Sequence, residues 1–258
     1  MHKKTTVIKV IDIEDMADNF SVGVNGGKTQ KQFIQDMKTF ELPKLKRTNV
    51  EGTRYYFNSN GERYPSVTEV IKPFQFPKEK RLNWINNKFG GDERKAQEYV
   101  NKKGFRGTKV HQIIELYLKN QSDYCKNHNQ IHINMFNQLR PVLDQAVNNI
   151  KCQEEKLYSK ELRVAGTVDC IAKFEGNLSV IDFKTKNVRT LKKYVNWHFV
   201  QCAAYASMWE EWTKIPIKKL VVLITTETGD CQVFVEDMEI TKTTDEWKVF
   251  IDAIANFN

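Results

Sequence analysis

Two carboxylates and an ammonium group lie close together in Gly166-Thr167-Val168-Asp169, the run from Cys170 to Ile181, and Asp182-Phe183-Lys184. Residues of these types suit metal-assisted hydrolysis of a phosphodiester. A hard cation takes oxygen ligands, commonly one or two carboxylates with water and substrate phosphate completing its shell. It would polarise the phosphate and acidify a bound water, while the lysine orients that water or stabilises charge on the phosphoryl oxygens. A plainer reading makes Asp169 and Asp182 solvent-facing charges and Lys184 a partner of one of them. The sequence Val180-Ile181-Asp182-Phe183-Lys184 argues against it, because apolar neighbours would bury the strand and make an isolated charge pair costly unless a ligand offsets the desolvation.

The elements that must position these groups read as a hairpin. Residues 162–174 form a predicted strand, Glu175-Gly176-Asn177 its turn, and residues 178–184 the returning strand. Alternation then sets Asp182 and Lys184 on one face, with Ile181 and Phe183 on the opposite, buried face. Two predicted helices flank the hairpin. His111 and Glu115 are one turn apart on residues 108–120, and Gln201 and Tyr205 one turn apart on residues 197–213. Val200, Ala203, Ala204 and Ser207 on the second helix are small enough to pack closely on a sheet and aim the polar pair at the cleft. Taken alone, His111 is an ordinary half-buried histidine, Glu115 a solvated charge, and Gln201 with Tyr205 a structural hydrogen-bonding pair. A carboxylate one turn from a metal ligand can also hold its tautomer or reach the metal through water, which gives Glu115 a second reading.

Lys and Arg number 40 against 32 acids, for a formal charge of +8 and a pI near 9.1, consistent with a nucleic-acid partner. The local clusters are more informative. Lys184, Lys186, Arg189, Lys192 and Lys193 issue from the catalytic strand, and Lys102, Lys103, Arg106 and Lys109 run into the His111 helix. Such charges neutralise phosphates, and aromatic rings stack on unpaired bases. Tyr55, Tyr56 and Trp197 are open between stacking and packing, whereas Phe199 and Phe105 are assigned to packing. Five scattered cysteines without a C-x-x-C pair indicate neither a zinc site nor a disulfide framework. With no signal peptide and no apolar run near 18 residues, a soluble, intracellular protein is expected.

Gly107-Thr108-Lys109-Val110-His111, Gly166-x-x-Asp169, Asp182-x-Lys184 and Gln201-x-x-x-Tyr205, in this order, resemble the PD-(D/E)XK nuclease superfamily and, within it, the RecB-like branch. Tyr64-Pro65-Ser66-Val67-Thr68 and the region of Trp84 are most similar to the mitochondrial genome maintenance exonuclease and its phage-encoded relatives, the resemblance covering about residues 53–240. It implies an α/β fold with a restriction-endonuclease-like core, a mixed central sheet of αβββαβ type flanked by helices. It also implies hydrolysis of DNA with Mg2+ or Mn2+ from the ends of single strands, in replication, recombination or repair. On this resemblance His111, Asp169, Asp182 and the Phe183 carbonyl hold the metal and Lys184 is the catalytic lysine. Gln201 and Tyr205 take its phosphate-binding and lysine-positioning roles. Ser66 and Thr68 gain a role as phosphate contacts beside helix capping. Some RecB-like nucleases carry an iron–sulfur cluster built from one early and three late cysteines. The late triplet is missing here, so none is expected. A monomer is expected, in a bacterial cytoplasm if phage-encoded or otherwise in a mitochondrion. Two competing readings are an endonuclease with the same residues and a single-stranded nucleic-acid binding module whose site has decayed.

The remaining chain divides into an N-terminal accessory segment, residues 1–52, and the nuclease domain, residues 53–258. Residues 7–13 alternate like a strand and residues 31–40 have weak helical character. Residues 53–57 and 62–64 read as a hairpin, followed by a short helix with Ser66 as its N-cap. Residues 78–103 read as two helices broken at Gly90-Gly91, an insertion placed to arch over the cleft ahead of the His111 helix. Met135, Phe136, Leu139, Val142, Leu143, Ala146, Val147 and Ile150 recur at helical spacing as a core stripe. A second hairpin, residues 219–226 and 231–235, and a closing helix over residues 245–257 end the chain.

Overall fold

A computed structural model describes residues 11–12, 30–36 and 40–257. In chain order the strands are β1 (Ile11–Asp12), β2 (Lys46–Val50), β3 (Thr53–Phe57), β4 (Arg63–Pro65), β5 (Val147–Ser159), β6 (Val164–Phe174), β7 (Asn177–Lys186), β8 (Lys219–Thr226) and β9 (Cys231–Asp237). The helices are α1 (Val67–Gln75), α2 (Lys78–Phe89), α3 (Glu93–Leu118), α4 (Gln130–Ala146), α5 (Asn196–Thr213), α6 (Met238–Thr241) and α7 (Asp245–Ala255).

The main sheet has the order β1-β9-β8-β7-β6-β5. Its β5, β6 and β7 form an antiparallel meander, and β8 runs parallel to β7, so the chain must cross over between them. Helix α5 is that crossover. It packs with α1 and α7 on one face, over Val168, Val180, Val222 and Ile224. On the other face α3 and α4 cover Cys170, Ile181, Phe183, Val221 and Leu223. The sheet is therefore mixed and covered on both sides, the α/β architecture expected. Among the described residues no helix is long and apolar enough to cross a membrane.

A second, three-stranded sheet, β2-β3-β4, sits against β6 through Tyr56, Tyr64, Tyr158 and Ala165. Its first hairpin turns on Glu51 and Gly52, both at positive φ (50° and 80°), as a two-residue hairpin turn requires. Because β2 pairs with β3 along its whole length, residues 46–50 belong to this sheet and cross the boundary drawn at residue 52.

Several expectations need correction. Gly90 and Gly91, at φ of 60° and 85°, do end α2. Past them, however, α3 is one 26-residue helix, so the second half of the insertion is continuous with the helix that carries His111. Asp92 starts it, accepting a hydrogen bond from the Lys95 amide. Gly104 and Gly107 inside it cost about 1 kcal/mol each relative to alanine. Burial of Val110, Ile113, Ile114, Tyr117 and Leu118 outweighs that. Val147 and Ile150 lie on β5, not on a helix, although both are buried as expected. Of the helical character expected over residues 31–40, residues 37–39 lie outside the described residues and residues 31–36 form no helix, with Phe33 buried and Gln35 bridged to Ile150. Of the expected strand 7–13, residues 7–10 and 13 lie outside the described residues, and Ile11–Asp12 pair with β9.

Candidate active site

The site is a fork in the sheet. The last pair joining β6 to β7 is Cys170 with Ile181, so Asp169 and Asp182 are the matching positions one step further on, where the two strands part. Beyond the fork β7 stays paired with β8 as far as Lys186 with Thr226, and β6 stays paired with β5. Between the pairs Gln153–Cys170 and Glu155–Val168, Glu154 stands opposite Asp169, with φ of 50°. Three acids thus line up across three neighbouring strands. Like charges placed directly across strands repel, so this row needs cations among it.

On the α5 side the polar groups are buried and joined. Lys184 Nζ lies 2.5 Å from Asp182 Oδ1, and Gln201 Nε2 donates to the same oxygen at 3.1 Å and to the Tyr205 hydroxyl at 3.3 Å. Tyr205 in turn presses on β6. A β-carbon added at Gly166 would come within 2.4 Å of its Cε1, which is why the position before Thr167 is glycine. Asp182 Oδ2 is buried without a hydrogen-bond partner. Burial raises the Asp182 carboxyl above its usual range against the pull of Lys184. Lys184, which burial alone would lower, is raised by Asp182 and Asp169 and stays protonated. His198 in the first turn of α5 is also buried, and burial with Lys184 and Lys186 nearby holds it well below its usual range, hence neutral.

On the α3 side the groups border open space. His111 Nε2 is 2.9 Å from the Phe183 carbonyl oxygen, which fixes the ring so that Nδ1 faces Glu154 at 3.6 Å and Asp169 at 3.7 Å. Burial would lower the imidazole, but Asp169 and Glu154 outweigh it and raise the pKa to about 9. Asp169 Oδ2 accepts the Phe183 amide at 2.8 Å, tying the two prongs of the fork together. Of the expected ligands, His111 and Asp169 come together, whereas Asp182 stands outside their cluster with Oδ1 on Lys184 and Gln201, and the Phe183 carbonyl is taken by His111 Nε2. The carbonyl faces His111 itself, the arrangement by which a neighbouring acceptor sets a ligand's tautomer.

Glu154 is the group that sequence reasoning missed. His111, Glu154 and Asp169 offer ligand atoms all within 4.8 Å of one another. Glu115, by contrast, lies 2.5 Å from Lys119 Nζ along its own helix, and the acids beside His111 Nδ1 are Glu154 and Asp169. Nothing in the sequence singles out Glu154, whose register opposite Asp169 exists only once β5 and β6 pair.

The expected DNA contacts are dispersed. Lys192 and Lys193 are exposed on the turn before α5, Lys186 is half-buried and lowered by its burial, and Arg189 is 3.3 Å from Asp230. Lys109 bonds Gln112 and lies over the Phe105 ring. Arg106 is turned inward and buried, its guanidinium 2.6 Å from Glu227 and 3.1 Å from Asn187, because its position on α3 faces the ends of β7 and β8. Trp197 stacks on Phe74 at 5.3 Å and packs against the core, so that ring face is covered. Tyr56 is buried and Tyr55 lies under Arg63. Phe199 is core as expected, while Phe105, expected to pack, is 58% exposed. Ser66 occupies the N-cap position of α1, but its hydroxyl bonds Thr68 Oγ1 at 2.8 Å instead of capping, and it bridges to Ala165 on β6.

Oxygen-rich, with one imidazole and a buried carboxylate oxygen lacking any partner, this donor set fits a divalent cation. No match to a curated protein was found. The family model of the PD-(D/E)XK nuclease superfamily matches residues 74–253, a span that contains the whole fork, the lysine and the α5 pair. With that match over most of its length, the chain belongs to the PD-(D/E)XK nuclease superfamily.

Proposed function

We propose that the chain is a Mg2+- or Mn2+-dependent deoxyribonuclease of the RecB-like kind that digests DNA from single-stranded ends, in replication, recombination or repair. The observation that carries this reading is the row Glu154, Asp169, Asp182 at the fork, with Lys184 and His111 on either side. A divalent cation held by His111, Glu154, Asp169 and Asp182 would polarise the scissile phosphate and acidify its water.

The chain's own residues do the rest. Lys184, protonated beside Asp182, presents an ammonium donor to the attacking water or to the charge that grows on the phosphoryl oxygens. Gln201 fixes the Asp182 carboxylate through Oδ1 and leaves Oδ2 without a protein partner. Phe183 holds His111 through its carbonyl and Asp169 through its amide, so one peptide aligns both groups. Trp84, Phe89 and Tyr99 brace helix α2 against the first turns of α3, and in this reading the pair arches over the entrance and admits one strand. The exposed Lys192 and Lys193 suit backbone phosphates.

The test is digestion of end-labelled linear single strands beside closed single-stranded and duplex circles, in Mg2+ and in Mn2+. Ends-only release of short products is expected. Cutting of circles as fast as linear strands would replace this reading with an endonuclease, and tight binding with no cleavage would replace it with a binding module.

A further inference from the structure

We infer that Arg47 is a phosphate-binding residue of the nuclease site, supplied by the small N-terminal sheet rather than by the nuclease core. The inference rests on the nuclease reading and adds a substrate contact to it.

A cavity of about 340 Å3 opens beside the fork, lined by His111, Glu154, Thr108, Gln112, Glu115 and Arg47. Its volume is in the range of sites that hold small organic groups. Its lining is polar, and its carboxylates already have neighbours: Glu115 lies 2.5 Å from Lys119 Nζ, and Glu154 lies 3.6 Å from His111 Nδ1. Arg47, exposed on β2, has no ion pair or side-chain hydrogen bond among the described residues. An unpaired guanidinium in a concave site whose floor is a metal-ligating cluster has one obvious complement, an anion that the metal also attracts. For a nuclease that anion is a phosphate, whose oxygens match the planar fork of arginine.

The placement of Arg47 is fixed rather than incidental. It pairs across the sheet with Tyr56, which is 1% exposed and whose hydroxyl lies 3.1 Å from Thr167 Oγ1. Thr167 is on β6, two residues before Asp169. The register of β2 on β3 therefore sets Arg47 relative to the metal-ligating strand. On the opposite wall Thr108 and Gln112 belong to the His111 helix, so a phosphate between the walls would lie next to the imidazole.

The phosphate can be an internal one or the strand's terminal one. Binding of a labelled single-stranded oligonucleotide carrying a 5′-phosphate, a 3′-phosphate or neither is measured by fluorescence anisotropy in Ca2+, over a series of salt concentrations. Expected for Arg47→Ala is about tenfold weaker binding, and a slope of log affinity against log salt shallower by about 0.7. Arg47→Lys is expected to recover part of both. Loss on all three oligonucleotides assigns Arg47 to an internal phosphate, and loss confined to one phosphorylated end assigns it to that end. Unchanged affinity and slope in Arg47→Ala overturn the inference while leaving the nuclease reading intact. Failure of the unaltered protein to bind any of the three overturns the nuclease reading itself. Arg47 is exposed and its substitution leaves the fold alone, which a thermal melt confirms.

Discussion

The two banks of the fork are built on opposite principles. On the α5 bank Asp182, Gln201 and Tyr205 are 1%, 6% and 2% exposed, and a chain of hydrogen bonds runs from Lys184 through Asp182 Oδ1 and Gln201 Nε2 to the Tyr205 hydroxyl. On the α3 bank the side chains of Asp169, His111 and Glu154 are 12%, 24% and 36% exposed, and two acids stand opposite each other across β5 and β6. A buried, satisfied network is rigid, and it specifies one geometry. An open pair of like charges is incomplete until a cation joins it. The α5 bank therefore sets where the reacting groups sit, and the α3 bank decides whether charge is available to them.

The sharpest break falls on the α5 bank. Asp182→Asn and Lys184→Ala should each lower cleavage of single-stranded DNA by about 1,000-fold, the scale of losing one preorganised electrostatic group. Binding in Ca2+ should stay within about threefold for Lys184→Ala, since its role is in the charged transition state and not in holding the strand. Single-turnover cleavage with anisotropy alongside checks both. Retained cleavage in either variant removes Asp182 or Lys184 from its assigned role.

The α3 bank should respond through the metal instead. Glu154→Gln removes one carboxylate beside His111 and should weaken Mn2+ binding by about 10- to 100-fold, the usual loss when a group that supports a ligand is replaced. Calorimetric titration of Mn2+ into the metal-free protein measures it. Cleavage at saturating Mn2+ should then recover most of its rate, which a defect on the α5 bank would not do. An unchanged Mn2+ affinity would return Glu154 to the status of a surface acid.

This contrast also explains what the sequence disclosed. The hairpin of β6 and β7, the pair β8 and β9, and helices α5 and α7 were legible because apolar alternation or helical spacing is bounded there by turn residues such as Glu175-Gly176 and Gly229-Asp230. Strand β5 was not. Val147 and Ile150 continue the helical stripe of α4 without a break, and Gln153 to Lys156 are polar, so periodicity has nothing to mark the change at Ala146. Glu154 was hidden with it. It is one of two adjacent glutamates, and what selects it is its register opposite Asp169, which exists only once β5 and β6 pair. For the same reason β2 escaped notice: Lys46-Arg47-Thr48-Asn49-Val50 has no apolar face, and only the Glu51-Gly52 turn betrays the hairpin. Residues 31–36 misled in the opposite direction, because a buried residue two places before a bridged one is strand spacing inside a helix-like composition.

A steric change sharpens the α5 bank without touching a charge. Gly166→Ala places a methyl group 2.4 Å from Tyr205 Cε1 and 2.9 Å from its hydroxyl, so the ring must move. Overpacking of this kind costs about 1–3 kcal/mol. It would also draw the hydroxyl away from Gln201, which then holds Asp182 less firmly. A lowered melting temperature together with a reduced cleavage rate at saturating metal is the expected pair of effects. A lowered melting temperature with an unchanged rate would show that Tyr205 packs but does not position.

The smallest effect should come from Glu115, the acid whose helical spacing from His111 made it a candidate for holding the imidazole. Its carboxylate meets Lys119 one turn further along α3, and that partly exposed pair contributes well under 1 kcal/mol. The acids facing Nδ1 of His111 come from β5 and β6. Glu115→Gln should therefore change Mn2+ affinity and cleavage by less than about threefold, because a pair of such low energy has little to transmit to its neighbours. Calorimetry and single-turnover rates beside those of Glu154→Gln decide the point. If the Glu115 variant lost as much Mn2+ affinity as the Glu154 variant, the helix would share the task here assigned to the sheet, and the division between the two banks would have to be redrawn along α3.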